Sequence, residues 1–224
     1  RLLNQLYSLY TDVLTTISGY SNVLWVDLDF DAIAQTIQDY QNRCWKLPKG
    51  MRDWEAYTEL RQKIDDFLLT LPIFQSLSHP AVTPRHWKMI SEIVKVNLDV
   101  ENVEQFKLAD IISAPILEYK DDIEDICNAA QKEIEIEEKI EEIESDWKDM
   151  EFTFDDFKTR GKLMLKPAET SDIISQLEDT QMILGSLVSN RYNTYYKDRI
   201  MKWVKYLSNV EELLNKWLVV QQNW

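Results

Sequence analysis

From Tyr196 the apolar positions recur in steps of four and three, through Ile200, Trp203, Leu207, Val210, Leu214, Trp217 and Gln221, as far as Trp224. A stripe of that period lies along one side of an α-helix and needs another helix to face it. A β-strand cannot carry it, because strand side chains change sides at every residue. Only four glycines and six prolines punctuate the 224 residues, too few turns for a many-stranded sandwich or barrel. The expected fold is therefore all-α: an elongated bundle of long antiparallel helices with one small β-hairpin at about 151–166. A chain of this length, 45% hydrophobic, can bury a sizeable core.

The remaining helices follow from the same reading. Leu6, Tyr10, Val13 and Ile17 form a first stripe, ending at Gly19. A second helix opens near Asp29 and runs through Ile33, Ile37 and Cys44 until Pro48 and Gly50. A third carries Trp54, Tyr57, Leu60, Ile64, Phe67 and Leu71, and Pro72 is expected to close it. Thr83-Pro84 reads as an N-cap with a first-turn proline, ahead of a buried stripe of Trp87, Ile90 and Val94. A smaller helical turn is expected over Val103 to Leu108. Late in the chain, Pro167 leads to a helix from about Thr170 to Ser189, and the last helix is expected to begin near Arg191.

Pro115 is expected to open the longest helix, about 36 residues or about 54 Å, with Ile136, Ile140, Ile143, Trp147 and Met150 in a heptad seam. The net charge of −14 is concentrated here. Between Asp121 and Glu151 there are 14 acidic residues against 3 lysines, and everywhere else 25 acids against 22 bases. The acidity thus belongs to one helix, which lacks the phosphate-binding field a nucleic-acid partner would require. Glu135–Lys139 and Glu144–Lys148 have the favourable order four residues apart, while Glu137–Glu141 and Glu138–Glu142 oppose them. Packing of the isoleucine and tryptophan stripe must hold such a helix. Beyond it, Phe152-Thr153-Phe154 and Lys162 to Lys166 alternate around Gly161, the signature of a β-hairpin. Two strands are marginal by themselves, so this hairpin must lean on helices. The division expected is 1–113 and 114–224.

Catalytic and cofactor motifs are excluded by composition. Gly19, Gly50, Gly161 and Gly185 are too scattered for a dinucleotide or P-loop fingerprint, and Gly161-Lys162 is followed by leucine. No serine stands in a G-x-S-x-G elbow. His79 and His86 lack thiols or carboxylates at metal-binding spacings, and His86 reads as a packing or capping residue. The acidic run has no glycine from Asp121 to Glu151, which excludes an EF-hand loop. Cys44 and Cys127, far apart on separate helices, read as reduced buried thiols. No apolar run reaches the roughly 18 residues needed to cross a bilayer. The eight tryptophans read first as core, with Trp87, Trp147, Trp203, Trp217 and Trp224 as structural anchors.

The order of features then carries a resemblance. Leu177-Glu178-Asp179, Ser189-Asn190-Arg191-Tyr192, Trp203, Trp217 and Gln221-Gln222-Asn223-Trp224 resemble one region of the dynein heavy chain linker. Upstream, Leu71-Pro72-Ile73-Phe74 through Leu77 to Arg85-His86-Trp87 resembles the landmark that precedes it, and Leu47-Pro48-Lys49 with Trp54 and Tyr57 fits before that. The resemblance covers nearly the whole chain in order. It implies the tail-side half of a helical lever joined to a ring of AAA+ modules that hold ATP and Mg²⁺ outside this segment. The implied partners are that ring, the dynein tail with its associated chains and, indirectly, microtubules, with neither nucleic acid nor membrane. Thr83-Pro84-Arg85-His86-Trp87 and the acidic helix resemble axonemal heavy chains, which implies the cytoskeleton of a cilium or flagellum. The start at Arg1 without an initiator Met and the seam running to Trp224 fit a segment of a longer chain. Lys158, Arg160, Lys162 and Lys166 on the hairpin are the expected ring-docking surface. The competing expectation from composition is a passive, spectrin-like scaffold or tethering protein binding through its helix seams.

Overall fold

The structure, a computed structural model, describes residues 2–223, so Trp224 lies outside the described residues. Among the described residues there are eight α-helices: α1 (Leu2–Ser21), α2 (Phe30–Trp45), α3 (Glu55–Leu77), α4 (Pro84–Val94), α5 (Leu108–Ile112), α6 (Lys120–Lys148), α7 (Pro167–Ser189) and α8 (Lys197–Gln222). Strands β1 (Phe154–Asp156) and β2 (Lys162–Leu165) form one antiparallel pair. The architecture is predominantly all-α with a single hairpin. The chain divides into two compact units, Arg1–Ala130 and Gln131–Trp224, and the division falls within α6.

In the first unit, α2 begins where the sequence places it. Asp29 caps it, its carboxylate accepting the backbone N–H groups of Asp31 (3.1 Å) and Ala32 (3.0 Å). Ile33, Ile37 and Cys44 of α2 and Tyr57, Leu60, Ile64 and Phe67 of α3 are buried. Pro72 does not end α3; the helix continues for five residues with proline inside it. Proline in a helix interior costs about 3 kcal/mol. Ile73, Phe74 and Leu77 beyond it are all buried, and each contributes about 1.5–3 kcal/mol. Burial wins, and Pro72 itself is exposed. Gly19 likewise lies inside α1, which ends at Ser21.

Trp25 sits at the centre of an aromatic cluster in this unit, its ring 5.0 Å from Phe30, 5.6 Å from Trp87 and 6.2 Å from Phe106. Its backbone N–H donates to the Phe106 carbonyl at 2.9 Å, and Leu24 bridges Lys107. This long-range pairing corrects the local expectation at 103–108. That stretch closes a single turn, Phe106 N–H to Asn102 C=O at 3.0 Å, and the helix proper, α5, follows. The longest helix also starts later than Pro115. The Ile116 N–H bonds to the Ala114 carbonyl (2.7 Å), a contact no helix makes, and α6 begins at Lys120. Its 29 residues span about 44 Å.

In the second unit, Ile136, Ile140 and Ile143 of α6 pack with Leu184 and Leu187 of α7 and Ile200 and Leu207 of α8. Leu165, two residues ahead of α7, bonds to Gln221 near the end of α8, and Gln181 within α7 bonds to the earlier Glu211, so the two helices are antiparallel. α7 starts at Pro167 rather than Thr170, using the proline as its first residue. α8 starts at Lys197 rather than Arg191. The intervening residues are spent on capping: Asn193 Nδ2 donates to the carbonyls of Leu187 (2.9 Å) and Val188 (2.8 Å), and Asn190 Oδ1 accepts from Tyr192 N–H (2.9 Å).

Candidate functional site

The hairpin is built by a tight turn. Phe157 N–H donates to the Gly161 carbonyl (2.8 Å) and Arg160 N–H to the Phe157 carbonyl (2.9 Å). Lys158 has φ 50° and Gly161 φ 90°, both in the left-handed region. For Gly161 this is free of penalty; for Lys158 it is strained. The pairing register runs Phe154–Leu165, Asp155–Met164 and Asp156–Lys162, with an irregularity that leaves Leu163 as the extra residue on β2. The first strand accordingly lies two residues nearer the turn than 152–154.

Two side chains of α8 hold this hairpin. Gln221 Oε1 accepts the Leu165 N–H at 2.9 Å and its Nε2 donates to the Leu165 carbonyl at 3.2 Å, so one amide imitates a third strand. The Phe154 ring lies 5.7 Å from that of Trp217, tilted by 58°. Trp217 and Gln221 both belong to the heptad series, and here they serve the hairpin. Trp217 consequently keeps 45% of its surface exposed.

Of the four cations expected to dock, Lys158, Arg160 and Lys162 are exposed. The Lys158 Nζ lies 5.0 Å over the Phe157 ring. Lys166 is half-buried at the start of α7, with its Nζ 3.5 Å from Glu169 Oε1. Asp155 and Asp156 are also exposed on β1, so the hairpin presents both signs of charge.

Sequence reasoning missed a polar cluster between α6 and α8. Glu144, expected to pair with Lys148, instead receives Arg199 Nε at 2.9 Å, Arg199 Nη2 at 2.6 Å and Trp203 Nε1 at 3.1 Å. The Arg199 bond, with help from the Trp203 indole, holds the Glu144 carboxyl below its ordinary value against the opposing effect of burial. The signal was present in principle, since Arg199 and Trp203 sit four residues apart on one helix face. Their partner lies 55 residues upstream of Arg199 and 59 upstream of Trp203, and no local pattern shows it. Glu135, expected to pair with Lys139, has Lys132 Nζ at 2.7 Å. Among the anchors, Trp87 is buried, Trp147 is half-buried with its Nε1 on Thr180 Oγ1 (3.1 Å), and Trp203 is half-buried.

His86 is buried with its Nδ1 accepting the Thr83 N–H at 3.1 Å, a capping contact. Cys44 and Cys127 are buried free thiols. Among the described residues no three His, Cys, Asp or Glu side chains gather where they could hold a metal, and no helix is long and apolar enough to cross a membrane. Gly161-Lys162 opens a strand rather than a helix and so lacks the helix N-terminus that cradles phosphate.

Helices packed through heptad seams, a hairpin pinned to the last of them and an interhelical ion clamp define a helical structural element. The whole chain, residues 1–224, matches the family described as "Dynein heavy chain, N-terminal region 2". The chain belongs to the dynein heavy chain family. It is 43% identical over 223 residues to dynein axonemal heavy chain 5 of Mus musculus and 44% identical over 223 residues to dynein axonemal heavy chain 8 of Homo sapiens. It is also 41% identical over 226 residues to the dynein gamma chain, flagellar outer arm, of Chlamydomonas reinhardtii. Each comparison covers 100% of this chain and 5% of the relative, so the chain spans about one twentieth of their length.

Proposed function

We propose that this chain is the tail-side half of the mechanical linker of an axonemal dynein heavy chain. In this reading it is a lever that couples ATP-driven changes in an AAA+ ring, outside these residues, to movement along microtubules in a cilium or flagellum. The full-length match to the N-terminal region of dynein heavy chains carries the proposal. The physics of the second unit is consistent with it. A lever must transmit force without melting, and seams of Ile136, Ile140, Ile143, Ile200 and Leu207 resist bending better than surface ion pairs would. Nucleotide chemistry belongs to the ring, since no glycine-rich phosphate cradle exists in these residues.

A lever must also detach and re-dock, so its contact with the ring should be more polar than its own core. The hairpin with Lys158, Arg160 and Lys162 on its exposed surface, and Lys166 at its base, is the surface proposed to make that contact. Reversing these four charges in the full motor should slow microtubule gliding while leaving the basal ATPase rate largely intact. Unchanged gliding would exclude the hairpin as a docking surface.

A further inference from the structure

Between Tyr40 and Arg52 the sequence carries Arg43, Lys46, Lys49 and Arg52, one cation at every third residue, and no carboxylate. The interval is basic in a chain whose net charge is −14. It forms the turn from α2 to α3, and the turn is firmly built. Cys44 and Met51 are buried, and the backbone N–H groups of Leu47, Met51 and Arg52 donate to the carbonyls of Cys44 (3.2 Å), Pro48 (3.0 Å) and Lys49 (3.1 Å). With those two side chains buried, all four cations are exposed. Trp45 stands among them with 53% of its surface exposed.

Local structure accounts for only part of this charge. Arg43 and Lys46 sit at the C-terminal end of α2, where a cation offsets the helix dipole, and Arg43 lies 3.6 Å from Asp12. Lys49 and Arg52 come after the helix. Neither of them, nor Lys46, has an ion pair among the described residues. Beside the turn is an open cleft of about 730 Å³, with Arg43 and Lys46 on one wall and Asn4, Gln5 and Ser8 of α1 on the other. No carboxylate lines it among the described residues. A guest there meets positive charge with amide and hydroxyl groups, a setting suited to a carboxylate.

The charge distribution selects the kind of anion. A nucleic-acid duplex or a membrane presents charge over a wide surface and would also meet the acidic remainder of the chain. A short acidic segment engages only what lies within a screening length of about 8–10 Å, and that is the turn. Exposed tryptophan beside cations is also typical of protein-binding surfaces.

We propose that the α2–α3 turn docks an acidic peptide segment of a protein partner, its carboxylates on Arg43, Lys46, Lys49 and Arg52 and an apolar side chain on the Trp45 indole. The inference does not depend on the lever-arm reading, because it concerns binding by the 224-residue chain itself.

The test is fluorescence anisotropy with the capped, rhodamine-labelled peptide Gly-Glu-Glu-Phe-Glu-Glu-Gly, against the same peptide with every Glu replaced by Gln. The acidic peptide should bind this chain with Kd of about 0.1 mM at low salt, at least about tenfold tighter than the control. Lys46→Glu/Lys49→Glu should abolish that preference without moving the thermal midpoint. Lys197→Glu/Lys205→Glu on α8 changes the net charge equally and should leave binding as it is, which separates the local site from the overall charge. Trp45→Ala should weaken the acidic peptide about fivefold. Equal binding of the Gln peptide, or no binding of the acidic one, would overturn the proposal. So would an unaltered preference in Lys46→Glu/Lys49→Glu, or an equal loss in the α8 variant. Tighter binding to a DNA oligonucleotide or to phosphatidylserine vesicles than to the peptide would assign the turn to phosphate-bearing surfaces instead.

Discussion

Arg199 on α8 grips Glu144 on α6 at two points, Nε to Oε1 at 2.9 Å and Nη2 to Oε2 at 2.6 Å, closing a contact 55 residues long in sequence. Both side chains are about one-third exposed, which moderates the energy through solvent screening. Arg199→Met should cost about 1 kcal/mol at neutral pH. The Glu144 carboxyl is held below its ordinary value, chiefly by the Arg199 bond. Its contribution is therefore present above the unfolded value near 4.3 and is lost as pH falls through the depressed folded value. Urea midpoints of wild type and Arg199→Met should differ at pH 7 and converge toward pH 3.

Trp203→Ala removes both the indole N–H bond to Glu144 and contacts with the α6–α7–α8 core. A fully buried tryptophan loses about 3–5 kcal/mol on such truncation, and this one is half-buried, so about 2–3 kcal/mol is expected. Chemical denaturation measures it. A change within about 0.5 kcal/mol, the size typical of surface positions, would contradict the packing described.

Gln221→Leu keeps the bulk of the side chain but deletes both bonds to the Leu165 backbone. The hairpin should loosen selectively. Amide exchange of Phe157 and of the residues of β2 should accelerate about tenfold, which is about 1.4 kcal/mol, while amides at Ile140 and Ile200 keep their protection.

Lys95 closes α4 with φ 56°, a conformation that glycine adopts without strain. Lys95→Gly should relieve part of a penalty of about 1–2 kcal/mol, less what glycine loses through greater freedom when unfolded. The expected result is a gain of up to about 1 kcal/mol, seen as a higher thermal midpoint.

Burial pushes the Cys127 thiol up to about 11, and burial likewise raises Cys44. Neither should react with a thiol reagent at pH 8 until the chain unfolds. The neutral thiol favours the folded state, so the Cys127 contribution is complete below the unfolded value near 8.5 and disappears as pH rises to about 11. Labelling at rates matching an unfolded control would show that these helices do not shield them.

Periodicity and helix-start signals alone determined the helical class, the stripes of α2, α3, α6 and α8, the start of α2 near Asp29 and the existence of a hairpin around Gly161. These are legible because burial repeats with the helix turn or the strand pleat, and each cap acts within three residues. Tertiary structure decided where those elements end. Pro72 remains inside α3 because Phe74 and Leu77 are buried beyond it. Residues 190–196 cap α7 instead of opening α8. The Phe106–Lys107 backbone pairs with Leu24 and Trp25 instead of coiling. The choice of Arg199 over Lys148 as the partner of Glu144, and the use of Trp217 and Gln221 to hold a hairpin, were decided there too. A one-dimensional pattern records which side of an element is apolar. It does not record which distant group arrives to satisfy a carboxylate, a carbonyl or an exposed ring.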